Sequence, residues 1–234
     1  MFSNFDFDVI RRALPYLFYE GMTFTLTLTA LAALGGLAFG TMLALMRLSG
    51  LRLLGRIAGL YVDLMRSLPL VLVIFWFYFL VPYIGQWFTG ASRPIHVGAF
   101  ASSLITFIMF EAAYFSEIMR AGIQSISRGQ PAAAQALGLT YSQTMRYVVL
   151  PQAFRNMLPV LLTQTIVLFQ DTSLVYVLSI PDFLGAASKV AQRDGRLVEM
   201  YLFAALVYSP SPVPPPSASA VCRRASPSSV SGFA

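Results

Sequence analysis

Eight polar or charged residues interrupt runs that are otherwise apolar enough for a lipid bilayer: Asp63, Arg66, Glu111, Glu117, Arg120, Gln164, Gln170 and Asp171. A charge at the bilayer centre costs roughly 2.5–3.5 kcal/mol on insertion scales, so each must face protein or a water-filled path. Gln164 and Asp171 are seven apart and share a helix face, with Gln170, Thr172 and Ser173 beside them. Such a stripe either hydrogen-bonds another helix or lines a path for a polar solute. An anionic solute needs a cation, and Arg66 is the one arginine expected near that path. Glu111 lies about 14 Å along a helix from Arg120; it either lines the path or braces a neighbouring helix. Glu117 with Arg120, and Asp63 with Arg66, are spaced as intrahelical ion pairs. Nothing in the chain pairs a nucleophile with a base. His96 and Cys222 are the lone residues of their types, which leaves no cysteine metal site and no disulfide.

The elements that hold these residues are membrane helices. Charged residues make up 11% of the chain and hydrophobic ones 57%, against about 25% charged in soluble domains. Mean hydropathy is +0.68. Residues 22–46 carry no charge and span about 37 Å as a helix, enough to cross a bilayer with tilt. Further spans are expected at about 60–84, 97–119 and 157–178. Within the first, Gly36 and Gly40 form a G-x-x-x-G that admits close approach of another helix. Residues 1–20 carry Asp6, Asp8, Arg11, Arg12 and Glu20 without a continuous apolar core, so they read as an outer or interfacial segment and not as a signal peptide. Tyr83, Trp87 and Phe88 suit an aromatic belt, and His96 a surface position.

Basic residues set the direction. Arg47, Arg52 and Arg56 follow the first span, and Arg120, Arg128, Arg146 and Arg155 follow the third. Counting them as cytoplasmic puts the N-terminus outside and residues 181–199 back on the outer face. The net charge of +6 is thereby explained without nucleic acid. A fifth span starts near Leu197 but is followed after Tyr208 by a Pro/Ser-rich tail, 209–234, that cannot continue a helix. A shifted reading frame from about Ser209 is one hypothesis for this change of composition. Resequencing the coding DNA through that junction tests it, and an intact frame refutes it.

The loop at about 121–155 has a structure of its own. Pro131 suits a first helical turn, residues 132–137 are strong helix formers apart from none of the usual breakers, and Gly138 supplies a left-handed stop. Thr140 and Gln143 have capping-box spacing for a second short helix reaching about Leu150, before Pro151. Two short helices around a glycine turn make a compact knob suited to a groove on a partner.

The same residues resemble a loop motif of the bacterial ATP-binding-cassette importer permeases: E-A-A, three residues, G, nine residues, then I-x-L-P. Here it reads Ala132-Ala133-Ala134, Gly138 and Val148-Val149-Leu150-Pro151, preceded by Gly129 and Gln130. Ala132 replaces the usual glutamate and Val148 the isoleucine. Met65-Arg66-Ser67-Leu68-Pro69-Leu70, the run 111–123 and the run 169–175 are similar to the polar amino acid branch, most of all to glutamate/aspartate permease subunits. The resemblance implies an all-α integral membrane protein of the type I importer permease fold, with about five transmembrane helices and a cytoplasmic coupling loop, in a bacterial inner membrane. It also implies a cytoplasmic ATP-binding subunit that uses ATP and Mg, a second permease subunit or copy, and a periplasmic solute-binding protein. The chain has no G-x-x-x-x-G-K-[ST] loop and is expected to bind no cofactor itself. An importer for glutamine, histidine or arginine, or a self-contained secondary transporter or channel, are the alternatives.

Overall fold

A computed structural model describes residues 5–94 and 97–209; His96, Cys222 and the 210–234 tail lie outside the described residues. Every regular element among the described residues is helical. Helix α1 (Phe7–Tyr16) is capped by Asp6, whose carboxylate accepts from the Asp8 amide at 2.9 Å. A π-turn, Leu17–Met22, carries α1 without a break into α2 (Thr23–Leu48). Residues 7–20 are therefore the first turns of a 42-residue helical run. The wider turn sits where Gly21 is pressed on the backbone of another element: a β-carbon there would lie 2.9 Å from Phe183 Cα.

The expected 60–84 span is two helices. Helix α3 (Arg52–Ser67) ends at Leu68 and Pro69, both extended, and α4 (Leu70–Thr89) begins anew. Proline pushes the residue before it out of the α region, so the apolar run cannot stay one helix. Helix α4 alone is 20 residues, about 30 Å, and stops at Gly90 with φ +66°. Asp63 and Arg66 thus belong to α3, before the proline break.

Helix α5 (Ala99–Gln124) is the centre of the bundle and packs on α2, α3, α4 and α8. Its closest neighbour is α2, along a seam of Gly35, Gly36 and Gly40. A β-carbon at Gly40 would meet the Ala112 carbonyl at 2.8 Å, and one at Gly36 would meet Glu111 Cβ at 2.9 Å. The G-x-x-x-G motif is therefore filled within the chain, by α5.

After the knob helices α6 (Gly129–Ala136) and α7 (Tyr141–Thr144), a π-turn at Met145–Val149 leads into α8 (Leu150–Asp171) and a 3-10 turn, Thr172–Leu178. Pro151 was expected to end the second knob helix, but the chain runs helical from Tyr141 to Leu178. Pro151 falls in the first turn of α8, where its missing amide costs least, and the π-turn before it has already shifted the hydrogen-bond register.

The segment expected on the outer face, 181–199, contains a helix, α9 (Phe183–Asp194), capped by Asp182 and ended by Gly195 at φ +67°. It buries Phe183, Ala186, Ala187, Val190 and Ala191 against Val9, Ala13 and Leu17 on one side and Met200 and Ala204 on the other. The latter two lie on α10 (Leu197–Tyr208), whose 12 residues span about 18 Å. Four helical runs are long and apolar enough to cross a membrane: Phe7–Leu48, Leu70–Thr89, Ala99–Gln124 and Tyr141–Leu178.

Candidate functional site

The knob is built as the local signals require. Leu137 and Leu139 amides return to the Ala133 and Ala134 carbonyls at 3.1 and 3.2 Å, closing α6 around Gly138 at φ +85°. Thr140 and Gln143 make the full capping box, with Thr140 N donating to Gln143 Oε1 at 2.9 Å. Only Ala134 of α6 is buried. Gly129, Gln130, Ala132 and Ala133 are exposed, as is Gly138, and Pro131 is half-buried. Beside them Leu137, Tyr141 and Tyr147 are 82%, 72% and 65% exposed, an apolar tip that none of the described residues covers. Of the remaining motif residues, Val148 is half-buried and Val149 buried, while Leu150 and Pro151 face outward. The exposed tip of three large side chains was not singled out by the motif, which emphasises the alanines; the turn geometry at Gly138 is what projects Leu137.

The polar residues inside the bundle divide into two groups. At mid-helix of α5, Glu111 is fully buried, and both its carboxylate oxygens accept from Gln164 Nε2 of α8 at 3.3 and 3.1 Å. The Tyr114 phenol, one turn further along α5, lies within electrostatic reach of Arg66, Glu111 and Asp171. The Arg66 guanidinium sits over the Tyr114 ring, 5.5 Å from its centre. Arg66, Glu111 and Asp171 thus act on one aromatic side chain that sequence reading had passed over, and Gln164 joins them through its bond to Glu111. Gln170 is turned elsewhere: its Nε2 donates to the Tyr208 carbonyl at 3.2 Å, tying α8 to the end of α10. Arg66 makes no ion pair with Asp63, because it reaches across to α5.

The second group lies at the other end of α5. Glu117 pairs with Arg120 on its own helix, as its spacing suggested, and also with Arg47 of α2 at 2.7 Å. Arg120 further donates to Gln124 at 2.6 Å. This bridge locks α2 to α5 beside the loop that leads to the knob. Among the described residues, no group of three or more His, Cys, Asp or Glu is placed to hold a metal.

A helical membrane bundle with a capped knob outside it and a buried polar cluster within is the architecture of a transport permease. Residues 36–211 match the binding-protein-dependent transport system inner membrane component family, and the chain belongs to that family. It is 54% identical over 205 residues to the glutamate/aspartate import permease protein GltK of Escherichia coli O157:H7, covering 88% of this chain and 91% of that one. The arginine transport system permease protein ArtQ of Bacillus subtilis (strain 168) is 32% identical over 205 residues, covering 88% of this chain and 90% of that one. A crystal structure of an amino acid ABC transporter with histidines superposes with a TM-score of 0.75 at 32% identity, over 87% of this chain and 90% of that one. The protein is a multi-pass membrane permease subunit of the type I importer fold.

Proposed function

We propose that this chain is one permease half of an ATP-driven importer for glutamate and aspartate. The observation that carries the substrate class is the 54% identity, across most of both chains, to the glutamate/aspartate import permease protein. The N-terminus lies outside, the knob inside, and a cytoplasmic ATP-binding subunit docks on Leu137, Tyr141 and the exposed face of α6. ATP and Mg belong to that subunit. A second permease subunit or copy completes the path, and a periplasmic solute-binding protein delivers the amino acid. Arg66, held over Tyr114, offers the charge for a carboxylate; Glu111, Gln164 and Asp171 complete the polar wall, with Gln170 supporting α8 from behind.

The presence of two acids in that wall favours a second reading, a cationic amino acid such as the one named for the arginine permease relative. Vesicles holding the chain with its partner subunits and binding protein separate the two. Labelled glutamate and aspartate uptake that needs internal ATP and is unaffected by excess arginine supports the first reading. Competition by arginine supports the second, and uptake without ATP refutes both.

A further inference from the structure

A cavity of about 320 Å³ lies where the 3-10 turn after α8 meets α9, at the opposite end of the membrane helix from the knob. Its lining includes Tyr176, Ser179, Gly185, Ser188, Lys189 and Gln192. The turn that shapes it is unusual. Ser179, with φ +60°, is the one non-glycine residue among the described residues in the left-handed region, a conformation that persists only where the surroundings demand it. The reversal brings the Ile180 carbonyl and Asp182 over Gly185, where a β-carbon would meet them at 2.5 and 2.8 Å. Any larger residue at 185 would displace the floor of the cavity.

Lys189 is the charged residue in this lining. Lys189 is the only lysine in the chain; it is exposed and makes no ion pair with a described carboxylate. Ser188 is 7% exposed, and its Oγ receives bonds from Gln192 Nε2 and from the Tyr201 hydroxyl, each at 3.1 Å. Gln192 keeps a second N–H. The nearby acids are already committed. Asp182 accepts from the Leu184 and Gly185 amides at 3.0 and 2.9 Å and from Tyr208, while Asp194 is forked on Arg193. A cation beside an amide donor is suited to holding a carboxylate.

We infer that this cavity binds the carboxylate of a free, acidic amino-acid-sized solute, with Lys189 supplying the charge and Gln192 a directed donor. The volume admits a whole amino acid, which a site made only for the tip of a docking protein's side chain does not need. The role as an outer station before the membrane path rests on the importer reading; the binding itself does not.

The test uses the complete transporter with Cys222→Ser and Val177→Cys, which places a thiol at the cavity rim. Glutamate and aspartate slow modification of that thiol by a charged thiol reagent, and glutamine slows it less. Lys189→Gln weakens glutamate protection by about tenfold, the scale of one charge-assisted hydrogen bond, and Lys189→Arg retains it. Protection unchanged in Lys189→Gln overturns the site, as does protection given only by the binding protein and not by free glutamate. Should the cysteine variant fail to assemble, equilibrium dialysis of labelled glutamate against the solubilised complex without binding protein replaces it. One saturable site then disappears in Lys189→Gln, and an unchanged count refutes the inference. Uptake by the unaltered complex is measured in parallel: uptake without protection removes only this site, and protection without uptake removes only the importer reading.

Discussion

Replacing Gln164 with Leu leaves the Glu111 carboxylate with no donor inside the bundle. The size of the effect follows from burial. Interhelical hydrogen bonds in membranes average about 0.6 kcal/mol, because the unfolded chain in lipid also finds partners. Glu111 is fully buried between Gly36 of α2 and Gln164 of α8, so removing its donor leaves a buried polar group unsatisfied. That penalty, about 1–3 kcal/mol, sets the expected loss. Glu111→Leu alone strands the Gln164 amide and costs about 1–3 kcal/mol. The double variant Glu111→Leu with Gln164→Leu removes both needs at once and should recover most of the loss. The assay is denaturant unfolding of the purified subunit complex in detergent, followed by circular dichroism, on all four chains. Uptake is then measured on the double variant, where stability no longer confounds it. Simple additivity of the two single losses would refute the pairing. Restored stability with abolished uptake assigns Glu111 to the path, and restored stability with normal uptake makes it a brace.

Three further outcomes are expected. Gly40→Ala places a β-carbon 2.8 Å from the Ala112 carbonyl and should destabilise the α2–α5 seam by about 1–3 kcal/mol, whereas Gly59→Ala, with nothing within 4 Å, should stabilise α3 by about 0.5–1 kcal/mol; both are read by unfolding in detergent. Leu137→Asp should uncouple ATP hydrolysis from uptake without changing thermal stability, since Leu137 is 82% exposed; a fall in melting temperature would instead place Leu137 in the fold. Burial pushes the Asp182 carboxyl from 3.8 up to about 6, against the pull of the Gly185 and Leu184 amides, so its protonated form is favoured in the native state. The stability it contributes is complete below about 3.8 and lost as pH rises through about 6. Asp182→Asn should flatten that part of the melting-temperature profile, and an unchanged slope refutes the assignment.

The membrane class, the knob and the small-residue seam were legible because each is written in local pattern: hydropathy over about 20 residues, capping residues at fixed offsets, glycines four apart. The break at Leu68–Pro69 was legible in principle through the proline, but averaging hydropathy across 60–84 concealed it. Helix α9 was hidden for the opposite reason. Lys189, Arg193 and Asp194 give its outer face the composition of a loop, while Asp182 and Gly195, its cap and stop, were both in plain view. The Glu111–Gln164 bond joins residues 53 apart, and neither local pattern nor charge identifies Gln164 among several polar candidates. The same holds for Tyr114, whose place between Arg66 and Asp171 depends on how α3 crosses α5.

The helical rod from Tyr141 to Leu178 joins the knob to the buried cluster and to the cavity beyond Ser179, about 57 Å at helical rise. Its attachment to α5 decides how a push on the knob can travel. Near the knob, Asn156 donates to Ser125 at 2.9 Å, and Met157 stands within 3.0 Å of where a β-carbon on Gly122 would be. Further along, Gln164 grips Glu111. Sliding α8 against α5 would break the hydrogen bond to buried Glu111 and unseat a close-packed contact together. Moving the two helices as one body breaks neither. Arg47 and Glu117 extend the same body to α2, through the glycine seam. The joints must then lie where the backbone leaves the regular helix: the π-turns at Leu17–Met22 and Met145–Val149, and the extended pair Leu68–Pro69. On that packing a displacement of the knob would move α2, α5 and α8 together, with α4 across the proline break.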